Sequence, residues 1–195
     1  MKNYLTYYFI LLFLFVAACS SQTDESTDFF VRVAKLGIQR NDYTLGKTLT
    51  DKQKEEAQRN AVEGASPGTY KFKDHDLYVV VDKETDRIII IYERYEPANR
   101  EKIRELVGDL FFVLGEPTVM AHDKTIYWAF DAEGKMSEMT YKTAKDQKKV
   151  PEFLATVKLQ SSHKIMDSTE PVIDGNVYYI ISSEPLLKLI EKRNR

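Results

Sequence analysis

The spacing of apolar positions changes several times along the chain, and each change marks an element. Phe29, Phe30, Val33 and Leu36 recur at helical spacing and predict a short helix over Asp28–Ile38 that ends at Gly37. Thr50-x-x-Gln53 has the form of a capping box and opens a second helix, expected to run through Asp51–Val62 and stop near Gly64. Its apolar positions are sparse (Ala57, Ala61, Val62), so it reads as a largely solvated surface helix. The period then becomes extended. Thr69–Phe72, Leu77–Val81 and Arg87–Tyr92 read as strands, the last two joined by the polar turn Lys83-Glu84-Thr85-Asp86. Ile88–Ile91 is an unbroken β-branched run, which at a sheet edge would template aggregation and therefore belongs in the centre.

Pro97 opens the strongest helix, Ala98–Leu114, whose stripe Ile103, Leu106, Val107, Leu110, Phe111, Leu114 faces a core; Gly115 and Pro117 end it. Strands are expected again at Thr118–Ala121, Thr125–Phe130 and Lys135–Tyr141, the last two joined by Asp131–Gly134. Lys142–Lys149 reads as a basic, polar loop, followed by strands Phe153–Gln160 and Asn176–Ser182 and a closing helix Leu186–Lys192 begun by Pro185. The class is α+β: a mostly antiparallel sheet with helices packed on one face, chiefly the 98–114 helix. Thr50–Glu96 and Pro97–Lys142 share a helix-then-hairpin order, and Tyr78–Asp82 can be set against Tyr127–Asp131. Two such units suggest a duplication, although any α+β chain repeats that order.

Composition narrows the function classes. Hydrophobic residues make up 43% and charged residues 30% of 195 residues, enough for a packed core. A net charge of −2 gives no footprint for nucleic acid. A single cysteine excludes an internal disulfide framework and a cysteine zinc cluster.

That cysteine has an informative position. Lys2 precedes the charge-free apolar run Tyr4–Val16, which is short against the roughly 20 residues of a spanning helix and has the form of a secretory signal. Val16-Ala17-Ala18-Cys19 resembles the lipobox of bacterial lipoprotein precursors. The resemblance implies a signal peptide over residues 1–18 and an acylated Cys19 as mature N-terminus, holding the chain to a membrane. The competing readings are an uncleaved anchor, disfavoured by length, and a plain secretory signal. Residues 19–28, with the polar Ser20–Asp28, read as a lipidated cysteine and flexible tether, and 29–195 as one α+β domain. By the same resemblance, Ser20 after the cysteine implies the outer membrane, facing the periplasm.

The helix followed by Leu114-Gly115-Glu116-Pro117 and the aromatic strand Tyr127-Trp128-Ala129-Phe130 resembles the small outer-membrane assembly lipoproteins called SmpA/OmlA. Gly46-Lys47-Thr48 before the Thr50 helix resembles that family's entry to its first helix. The likeness covers about a third of the chain, and three predicted strands separate the matching pieces. It implies a non-enzymatic scaffold in the machinery that inserts outer-membrane β-barrels and transfers no binding residue.

Catalytic patterns are sparse. His75-Asp76 and His122-Asp123 lie in polar loops, and His163 follows Ser161-Ser162. HExxH, GxSxG, GxGxxG and Walker spacings are absent. The acidic groups Asp74/Asp76 and Asp82/Glu84/Asp86 read as hairpin turns, not calcium loops. No catalytic residue, metal ligand or cofactor is therefore assigned. Strand-borne aromatics carry more information. Tyr127 and Trp128 are neighbours, as are Tyr178 and Tyr179, so one of each pair faces away from the core. These four are the candidate binding anchors. The expected function is a membrane-anchored binding or scaffold module for an envelope protein. The alternative is a small-molecule, peptide or glycan binder using the open sheet face, and a third reading is an envelope hydrolase with a nonlinear site.

Overall fold

The computed structural model describes residues 21–149, 151–165 and 175–195. The expectations for the signal peptide and Cys19 lie outside them. The chain begins with helix α1 (Ser21–Lys35), a small hairpin β1 (Gln39–Arg40) and β2 (Tyr43–Thr44), and helix α2 (Asp51–Arg59). Strands β3 (Ala61–Val62), β4 (Thr69–Asp74), β5 (Leu77–Asp82) and β6 (Ile88–Ala98) lead into helix α3 (Arg100–Leu114). Next come β7 (Val119–Ala121), β8 (Thr125–Asp131), β9 (Gly134–Lys135) and helix α4 (Glu138–Asp146). Strands β10 (Ala155–Ser161) and β11 (Gly175–Ser182) precede helix α5 (Glu184–Arg193). Among the described residues no helix is long and apolar enough to cross a membrane.

The main sheet has nine strands in the order β3-β4-β5-β6-β11-β10-β8-β7, with β9 paired to β8, and all pairs are antiparallel. This is the α+β architecture expected from the sequence. Two four-stranded meanders, each entered from a helix, meet where β6 pairs with β11. The isoleucine run lies at that centre, with Ile88, Ile89 and Ile91 buried. The topology repeats more broadly than the proposed units, since the second meander extends to Ser182. The aligned segments also occupy different places: Tyr78–Asp82 is in the third strand of the first meander, Tyr127–Asp131 in the second strand of its counterpart.

One face of the sheet is covered. Phe30 and Val33 of α1, Ala57 of α2, Ile103, Leu106 and Leu110 of α3, and Leu186 and Ile190 of α5 join a single core with alternate strand residues. Trp128 is fully buried, its indole N–H donating to the Gly115 carbonyl at 2.8 Å and its ring edge-on to Phe111. The Gly46 backbone presses against α1 so closely that a Cβ there would lie 2.8 Å from the Ala34 nitrogen, at a φ of +80° that favours glycine. The C-terminal helix is tied back to the first meander: Arg193 pairs with the buried Asp82 and with Glu84.

Five elements differ from the pattern-based expectation. Helix α1 reaches back to Ser21, so the segment read as a tether is helical from there; anchoring of Phe30 and Val33 supplies the nucleus from which further turns propagate cheaply. Helix α2 has the Thr50–Gln53 capping box but ends at Arg59, because Ala61 and Val62 pair with Phe72 and Lys71 at the sheet edge. Helix α3 starts at Arg100 with Asn99 as its cap, and Ala98 belongs to β6. The strand expected over Lys135–Tyr141 is only the two residues of β9. Thr118 is the reason: its N–H donates to the Tyr127 carbonyl, while its hydroxyl accepts from Ala129 N–H and donates to the Met136 carbonyl. Strands β7 and β9 thus share one edge of β8 and leave no ladder to extend. Ser137 then caps α4, accepting from Thr140 N–H at 3.1 Å, and this helix takes the later part of the expected strand and runs on into Lys142–Lys149, where a basic loop was expected.

Candidate functional site

Alternation along the strands sends every second side chain to the uncovered face, and register lines these residues up across the sheet. Successive partners form one row: Lys73, Tyr78, Tyr92, Ile180, Lys158, Tyr127 and Val119. A second row runs Arg94, Tyr178, Gln160, Thr125, and a third Lys71, Val80, Ile90, Ser182, Thr156, Ala129. The three rows hold four cations and four tyrosines and no carboxylate, in a chain whose net charge is negative.

The tyrosines and cations are organised by mutual contact. Tyr78 and Tyr92 stack with ring centroids 4.8 Å apart and an interplanar angle of 7°. The Lys73 ammonium lies 5.4 Å from the Tyr78 ring centre, and the Arg94 guanidinium 5.8 Å from that of Tyr178. Arg94 also pairs with Glu96 at the margin of the rows. Burial, reinforced by Tyr78 and Tyr178, holds the Tyr92 phenol above its ordinary pKa. All four tyrosines are half-buried, so each offers a fixed ring face at little further cost in side-chain freedom. Such a surface is suited to an acidic partner: ring faces supply contact area, and the cations meet carboxylates.

The four sequence-predicted anchors divide evenly. Tyr127 and Tyr178 lie on the uncovered face. Trp128 and Tyr179 do not: Trp128 is paired with Val157 and sealed under α3, and Tyr179 is 6% exposed on the covered side. Neither can anchor a partner on the open face. Tyr78 and Tyr92 were missed as partners of one another, although Val79 and Ile91 beside them carry the alternation that places both outward.

The three histidines do not form one cluster, although the segments of His122 and His163 adjoin where Lys164 pairs with Asp123. His75 is exposed in the β4–β5 turn, with its Nδ1 2.8 Å from Asp74, not Asp76. His122 lies in the β7–β8 turn, and β5 and β8 are four strand spacings apart in the sheet, about 19 Å. His163 follows β10, where its backbone N–H donates to the Ser161 hydroxyl, so Ser161-Ser162-His163 is a turn and not a nucleophile–base pair. Among the described residues no group of three or more His, Cys, Asp or Glu is placed to hold a metal ion. Comparison of the chain with protein-family models, with curated proteins and with solved structures gave no match in any of the three.

Proposed function

We propose that this protein is a lipid-anchored module of the bacterial envelope, facing the periplasm from the outer membrane, that binds an acidic surface of another envelope protein without catalysing a reaction. The observation that carries the reading is the uncovered sheet face, whose three rows hold cations and half-buried tyrosines and no carboxylate, with Glu96 at their margin. The Val16–Cys19 sequence supports the anchor by its resemblance to a lipobox. Two acyl chains hold a protein to a bilayer where one gives marginal binding.

The test is in-cell crosslinking followed by membrane co-purification of the wild-type chain, Cys19→Ala, and a charge-reversed face carrying Lys73→Glu and Lys158→Glu. The wild type is expected to recover one envelope protein reproducibly. The charge-reversed chain is expected to stay on the membrane and lose that protein, and Cys19→Ala to lose the membrane. Recovery of no protein by the wild type, or equal recovery by the reversed face, overturns the proposal.

A further inference from the structure

The covered side of the sheet is not filled everywhere. Between α3 and residues 36–41 lies a cleft of about 480 Å³, within the size range of small-molecule sites. Leu106 and Leu110 of α3 form one wall, Ile38 the other, and Phe130, Val157 and Tyr179 of the sheet line its depth. At its polar end stands Arg40. Its Nε and Nη2 donate to the two carboxylate oxygens of the buried Glu93, at 3.1 and 2.8 Å, and Glu93 also accepts from the Tyr95 hydroxyl at 2.5 Å. The guanidinium lies 4.9 Å from the Tyr179 ring centre.

Two donors at this end are unused. Among the described residues Arg40 Nη1 has no hydrogen-bond partner, and neither has the hydroxyl of Tyr179, a residue 6% exposed. Neither atom is sealed from solvent, since among the described residues the buried side-chain nitrogen or oxygen without a partner is Arg193 Nε; both donors are therefore free to bond an acceptor that enters the cleft. Burial pushes the Tyr179 phenol up to about 12, so it remains protonated through the neutral range.

The charges around the cleft define what enters. Arg40 and Glu93 neutralise one another, and Asp109 of α3 adds a carboxylate to the lining. An anionic head would meet the Asp109 carboxylate, and a cationic head would meet Arg40. We infer that the cleft binds an uncharged, mainly apolar molecule whose single carbonyl, of an ester or amide, accepts from the Tyr179 hydroxyl and Arg40 Nη1. Val113, which lines the cleft, and the adjacent Phe112 are 74% and 93% exposed, and they extend the apolar surface beyond the mouth. The site lies on the opposite side of the sheet from the proposed protein interface, and the two stand or fall separately.

Methyl octanoate, octanoate and octylamine share one chain and differ only in the head, so titrating each into the full chain tests the inference. Methyl signals of Leu106, Leu110 and Val157, followed by nuclear magnetic resonance, report occupancy at the site itself. The ester is expected to shift these signals and to bind more tightly than the acid or the amine. Tyr179→Phe removes a hydroxyl that bonds nothing in the protein, so its stability should hold while ester affinity falls roughly two- to tenfold, the weight of one hydrogen bond. Leu110→Trp is expected to fill the cleft and abolish the shifts; if that variant fails to fold, Tyr179→Phe decides alone. Tighter binding of octanoate, unchanged ester affinity in Tyr179→Phe, or no shift of the three residues overturns the assignment.

Discussion

On one side of the sheet Trp128, Val157 and Ile181 are sealed beneath helices, while one residue along each strand Tyr127, Lys158 and Ile180 remain half-exposed. The two sets share backbone, register and strand order. They differ in what lies over them, and that difference divides the work of the molecule. Folding free energy is concentrated under α1, α3 and α5, where side chains leave water fully. The uncovered side keeps aromatic area and positive charge at the surface, where they contribute less to stability and remain accessible for recognition. Substitutions on the two sides should therefore separate folding from binding.

The largest effect is expected from the neighbouring pair at the centre of this contrast. Trp128→Ala should lower the unfolding free energy by about 3–5 kcal/mol, through lost burial and the cavity left under Phe111 and Gly115. Tyr127→Ala should cost less than about 1 kcal/mol. Urea unfolding of both variants checks the pair, and equal losses would erase the distinction between the faces. A smaller effect is expected within the open face. A double-mutant cycle on Tyr78 and Tyr92, each changed to Ala, should return a coupling of about 0.5–1.5 kcal/mol from their stacking. A coupling near zero would mean that these rings are independent in solution.

The smallest effect concerns the polar border where α2 meets the β5–β6 turn. A hydrogen bond from Lys54, aided by the Tyr70 hydroxyl against the opposing effect of burial, holds Asp86 below its ordinary carboxylate pKa. A depressed folded-state value contributes stability above the unfolded value of 3.8 and loses it as pH falls through the lowered one. Urea midpoints measured from pH 5 to pH 2 should therefore fall less steeply in Asp86→Asn than in the wild type. Both faces should be unaffected, since neither relies on this carboxylate.

Much of the architecture is legible in local patterns. The stripe on α3, the Thr50–Gln53 box and the isoleucine run each state their own environment, because helix spacing, cap chemistry and β-branching act within a few residues. The side of the sheet on which Trp128 lies is not local. Its alternation with Tyr127 leaves two choices, and the pairing with β10, where Ala155, Val157 and Leu159 alternate with Thr156, Lys158 and Gln160, selects one. Helix α4 was hidden because Met136 and Tyr141 resemble strand positions and only the occupied edge of β8 rejects them. The cleft was out of reach altogether, since Arg40, Glu93 and Tyr179 come from three distant segments.

The junction of the two meanders also sets an order of events. Ile91 pairs with Ile181, ninety residues further along the chain. As synthesis proceeds, the first four strands are complete long before β11 exists. During that interval β6 has one side satisfied by β5 and the other side an open ladder of isoleucines. An exposed strand of that composition invites pairing with other chains, and distant pairings form slowly. The nascent protein is therefore most vulnerable just before its last strand arrives, and β11 is both the closing piece of the sheet and the guard of its centre.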